Sequence, residues 1–103
     1  MRVKRVGAKY ISIEFTDTEK TKIAQEWNHF SNYVLNIQGV GSIAVSQLNL
    51  SPTEMATGKV PSTTAEMDYM RILAINVFLT SYNDDVQVVE PVITEMEYKM
   101  AMV

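Results

Sequence analysis

Residues 8–15, AKYISIEF, run straight into residues 16–39, TDTEKTKIAQEWNHFSNYVLNIQG, and the hydrophobic period changes at the join. In the first stretch Ile11, Ile13 and Phe15 alternate with Tyr10, Ser12 and Glu14, the two-residue repeat of a strand with one apolar face. In the second, Ile23, Trp27, Phe30, Val34 and Ile37 recur at steps of three and four, which places them on one helical stripe. Thr16 and Glu19 have capping-box spacing, and Gly39 supplies a stop. A strand followed by a long amphipathic helix predicts a mixed fold.

Working outward, Gly7 bends or bulges the basic segment that precedes this strand. Residues 42–50, SIAVSQLNL, fit a strand, with a short helix as the alternative. In residues 51–58, SPTEMATG, Ser51 is a cap, Pro52 takes the first helical position, Glu54 completes a box and Gly58 ends the turn, so a short helix is predicted. Residues 62–83, STTAEMDYMRILAINVFLTSYN, repeat the box spacing at Thr63 and Glu66. From Met67 to Tyr82 apolar residues occupy nearly all sides, which requires a helix covered on more than one face. Asn83 to Asp85 turn the chain, Val86 to Val89 form a short strand, and Pro91 marks a break. The end alternates again: Val92, Thr94, Met96, Tyr98, Met100 and Met102 against Glu95, Glu97 and Lys99.

These elements predict one α+β domain over residues 1–103, with two long helices packed on one face of a small, mostly antiparallel sheet. The opening and closing ribbons are expected to pair side by side, setting Arg2 and Lys4 near Glu95 and Glu97.

The totals agree with a globular chain. Its 103 residues are 47% hydrophobic and 20% charged, with no cysteine, so disulfide scaffolds, thiolate metal sites and cysteine nucleophiles are excluded. The net charge of -3 does not advertise an anionic partner. The basic start leads into a strand pattern without an apolar signal core, so export by a signal peptide is not expected and the predicted location is the cytoplasm or a virion. Ile72 to Leu79 is interrupted by Asn76 and falls far short of the roughly 20 residues of a membrane span.

Candidates for chemistry all have a plainer structural reading. His29 is the sole histidine and lies off the main apolar stripe, as a partly exposed structural side chain does. Glu26 and His29 have the Glu-x-x-His spacing of di-metal bundles, but such bundles need the motif twice. Gly39 to Ser42 follows a predicted helix, whereas a dinucleotide loop follows a strand. Glu95 and Glu97 share a face with Lys99, as a solvated row does. No catalytic residue, metal ligand, cofactor or small-molecule substrate is therefore predicted, and the chain is not expected to be an enzyme.

Methionine is the unusual component, seven in 103 residues, with three on the last ribbon. The predicted interface comprises Met96, Tyr98, Met100 and Met102 as apolar area and Arg2, Lys4 and Arg5 as orienting charge. The expected function is a structural or assembly subunit that makes protein–protein contacts through its terminal strands, with itself or a neighbouring assembly protein as partner. A small bacteriophage virion or tail component fits that description. One alternative is a small soluble inhibitor or regulator binding one host protein. Another is a weak nucleic-acid binder through the basic amino terminus, although the four cations Arg2, Lys4, Arg5 and Lys9 give only weak, salt-sensitive contact, so nucleic acid is not the expected partner.

Overall fold

The computed structural model describes residues 1–6, 9–37, 41–82 and 92–93, and the α+β class is as predicted. Its first sheet joins β1 (Arg2–Val6), β2 (Tyr10–Glu14) and β5 (Lys59–Pro61) in the order β1-β2-β5, antiparallel throughout. Ile11 and Ile13 of β2 are buried and Tyr10 and Glu14 exposed, so the alternation read from the sequence sets which face meets the core. Among the described residues the strands number six and divide into two sheets. The second has β3 (Val34–Ile37) in the middle, antiparallel to β4 (Gly41–Ala44) and parallel to β6 (Val92–Ile93).

Helix α1 spans Asp17–Phe30 and starts with the predicted box: Glu19 N–H donates to Thr16 Oγ1, and Thr16 N–H to Glu19 Oε1. It does not continue to Gly39. Ser31 Oγ donates to the Asn28 carbonyl at 2.7 Å, Asn32 reaches back to Asn28 and His29, and Tyr33 N–H closes on Phe30. Local bonds of this kind offer the backbone an alternative to another helical turn. The chain beyond them becomes β3, where Val34, Leu35 and Ile37 suit a strand.

Residues 42–50 divide between the two predicted states. Strand β4 ends at Ala44 and a 3-10 turn follows over Val45–Leu48, because Val45 and Leu48, three apart, are both buried. Asn49 then turns the chain with φ 55. Helix α2 (Pro52–Thr57) has every predicted feature, with the Ser51–Glu54 box at one end and Gly58 at the other. Gly58 has φ +70, and a Cβ there would lie 2.1 Å from the Ile13 carbonyl oxygen, so glycine serves both the turn and the approach to β2.

Helix α3 (Ala65–Ser81) is capped by Thr64 rather than Thr63: Met67 N–H donates to Thr64 Oγ1 at 3.1 Å. The hydroxyl of Thr63 instead accepts from Arg71. As predicted, α3 is covered on several sides, with Arg71 to Ile75 consecutively buried. The core joins Ile11, Ile13 and Val60 of the first sheet to Ile23, Trp27 and Phe30 of α1, Leu73 and Phe78 of α3, and Leu35 of β3. Trp27 anchors it, edge-on to Phe78 with 5.1 Å between ring centroids and donating to the Leu50 carbonyl at 2.9 Å.

The described part of the closing ribbon, Val92–Ile93, pairs with Asn36 and Ile37 in the second sheet rather than with β1. The predicted turn at 83–85, the strand at 86–89 and the ribbon beyond Ile93 lie outside the described residues.

Candidate interaction surface

The first sheet determines which backbone groups reach its margin. Ile13 N–H donates to the Gly58 carbonyl at 2.7 Å, on the β5 side of β2. In an antiparallel ladder the N–H and C=O of a given residue point the same way, and direction alternates along the strand. Val3 and Arg5 stand opposite Ile13 and Ile11. Their backbone groups therefore point away from β2, while Arg2, Lys4 and Val6 face it. Among the described residues no strand flanks this outer side of β1. It presents two N–H and two C=O groups in the form an added strand uses.

The side chains divide by parity. Val3 packs against the core beside Ile13. Arg2 and Lys4 lie on the outer face and both contact the Glu14 carboxylate, Arg2 at 3.9 Å; their side chains are 72% and 44% exposed. A hydrogen bond from Lys4 and its charge, with help from Arg2, hold Glu14 below the usual carboxylate range against a smaller opposing effect of desolvation. The same face carries Lys59 of β5, its Nζ 4.4 Å from the centroid of the half-exposed Tyr10 ring. Arg2, Lys4 and Lys59 against Glu14 make this face cationic in a chain whose net charge is -3.

The start of β1 is tethered to α1. The Met1 ammonium donates to both oxygens of Glu19, at 3.0 and 2.8 Å. Partial burial disfavours the charged form of Glu19, but hydrogen bonds from the ammonium and from Thr16 outweigh it, and its pKa falls below the ordinary value. Glu19 thus serves the helix cap and the strand at once.

Of the predicted interface, Arg2 and Lys4 are brought together around Glu14, and Arg5 takes the ladder position opposite Ile11. Met96, Tyr98, Met100 and Met102 lie outside the described residues. His29 is exposed, its ring 6.0 Å from that of Tyr33 and 6.3 Å from that of Tyr82. Among the described residues no three His, Asp or Glu side chains converge as metal ligands would, and no helix is long and apolar enough to cross a membrane.

Two clefts adjoin Pro52. One, of about 390 Å³, is lined by Ser31, Ser46, Asn49 and Glu54 among others, and Glu54 is engaged in the Ser51 cap. The other, of about 160 Å³, lies between α1 and α2 over Ile23 and Met55 with Lys20 and Asn28 at its sides. In the first cleft Ser51 Oγ accepts from the Glu54 backbone N–H and Glu54 Oε2 from the Ser51 N–H, so both side chains serve the helix cap.

Two features escaped sequence reading. The Lys59–Tyr10 contact depends on strand register across 49 positions of chain, which no local pattern encodes. Buried Asp68 and Arg71 were visible only as charges inside an apolar helix. Arg71 Nε donates to the Leu48 carbonyl at 2.7 Å and its Nη1 to Asp68 Oδ1 at 3.0 Å, while Ser62 Oγ donates to Asp68 Oδ2 at 2.6 Å. This knot ties the start of α3 to the 3-10 turn.

No protein-family model matches the sequence, and neither the curated proteins nor the solved structures contain a match to it.

Proposed function

We propose that the chain is a non-enzymatic assembly subunit that makes protein–protein contacts through its terminal strands. The observation that carries this reading is the outward direction of the Val3 and Arg5 backbone groups on a margin of the first sheet that no strand flanks among the described residues. Main-chain bonds at such a margin supply affinity, and the flanking side chains supply selection. Cations on an edge strand oppose pairing with another strand of the same charge. Arg2 and Lys4 therefore filter partners, admitting a strand that carries acids and repelling a second β1. The tether between Met1 and Glu19 holds the first residues in place, which lowers the ordering cost of adding a neighbour. A small virion or phage-tail component is one setting for such a subunit.

Amide hydrogen exchange across a concentration series tests the reading. The Val3 and Arg5 amides are expected to exchange rapidly in dilute solution and to gain protection as protein concentration rises or the partner is added. Fast exchange of both amides at every concentration, with the β1–β2 ladder protected, would contradict it.

A further inference from the structure

We infer that the cleft between α1 and α2 is a binding site for a small monocarboxylate whose apolar body is about the size of benzene. The cleft exists because the side chains at its middle are short. On α1, Lys20, Ala24 and Asn28 stand at successive four-residue steps and form one ridge about 12 Å long. On α2, Pro52 and Ala56 form a second ridge one turn long. Ala24 and Ala56 carry a single methyl each and leave the space between the ridges open, while Ile23 and Met55, 5% and 1% exposed, close its floor.

The lining specifies the ligand. Floor and middle are apolar, and the volume of about 160 Å³ is close to the roughly 150 Å³ of an apolar cavity that accepts benzene. Among the described residues Lys20 is the one charged side chain of the lining, and it forms no ion pair. Asn28, two turns along, lends its backbone carbonyl to Ser31 and Asn32, but its carboxamide forms no hydrogen bond among the described residues.

A carboxylate against Lys20 gains a charge-assisted hydrogen bond, and the body behind it removes Ile23 and Met55 from water. The far end is closed by the neutral amide of Asn28, so the site offers a single positive charge and selects a monoanion over a dianion. No acid in the described lining is placed to receive an amine.

Titration of the full chain with benzoate, followed through its methyl signals by NMR, tests this. Ile23, Ala24, Met55 and Ala56 are expected to shift together and saturably, whereas benzylammonium, of similar shape and opposite charge, should give no saturable shift. Lys20→Gln should weaken benzoate binding roughly two- to fivefold, the worth of one exposed ion pair. Ala24→Leu fills the cleft from an exposed helical position and should abolish the shifts with the circular dichroism unchanged. Should that variant fail to fold, Ala56→Leu makes the same test from the opposite ridge. Absence of saturable shifts with benzoate, shifts centred outside α1 and α2, equal binding of benzylammonium, or undiminished binding by either the Lys20 or the leucine variant overturns the inference. None of the lining residues named belongs to β1, so failure here leaves the assembly role standing, and a monomeric chain leaves this site standing.

Discussion

Arg71 and Asp68 lie one turn apart on α3, both almost fully buried, with Nη1 3.0 Å from Oδ1. Burying two charges costs several kcal/mol per ion before their attraction and hydrogen bonds repay it. Here the repayment comes from outside the pair: the Leu48 carbonyl, the Thr63 hydroxyl and backbone N–H, and the Ser62 hydroxyl. The pair is a fastener between α3, the loop before it and the 3-10 turn.

Arg71→Ala should therefore lower stability by about 3–5 kcal/mol, because it leaves a buried carboxylate without its cation. Urea denaturation followed by Trp27 emission measures this. Adding Asp68→Ala should cost less than the sum of the two single losses, since the orphaned charge is removed with its partner. Strict additivity would show that the two side chains act independently.

Gly58→Ala should cost more than about 1 kcal/mol, because a left-handed conformation disfavours a side chain. The new Cβ would also press on the Ile13 carbonyl, a backbone atom of the central strand that cannot rotate aside. The loss should appear in the denaturation midpoint, and an unchanged midpoint would contradict the approach of α2 to β2.

Glu19 links stability to pH. Its folded pKa is depressed relative to the unfolded chain, so its contribution is fully present above the ordinary glutamate value of about 4.5 and is lost as pH falls below that value through the folded pKa. The stability gap between wild type and Glu19→Gln should accordingly be constant at neutral pH and shrink under acid. Denaturation midpoints from pH 7 down to about pH 3 would show it. A gap that widens under acid has the wrong sign for this account.

What was legible in the sequence was mostly local. The box at Ser51 and Glu54 with Gly58 beyond it specifies α2 within eight positions, and α2 forms as read. At α3 the same grammar pointed one residue early, because Thr63 and Thr64 are adjacent and only tertiary contact assigns the first to Arg71. Val34 misled for a related reason: its four-residue step from Phe30 extends a helical stripe on paper, but the bonds of Ser31 and Asn32 end the helix first. The expected partners of Arg2 and Lys4 were Glu95 and Glu97, whereas within the described residues the nearby hairpin partner Glu14 takes that role. The outward direction of Val3 and Arg5 could not be read from sequence at all. It follows from which neighbour Ile13 bonds, a fact of sheet order.

Sedimentation equilibrium of the wild-type chain over a wide concentration range tests the assembly claim most directly. The account predicts a species heavier than 11.6 kDa at high concentration that dissociates on dilution. A single species of 11.6 kDa at every concentration would contradict it.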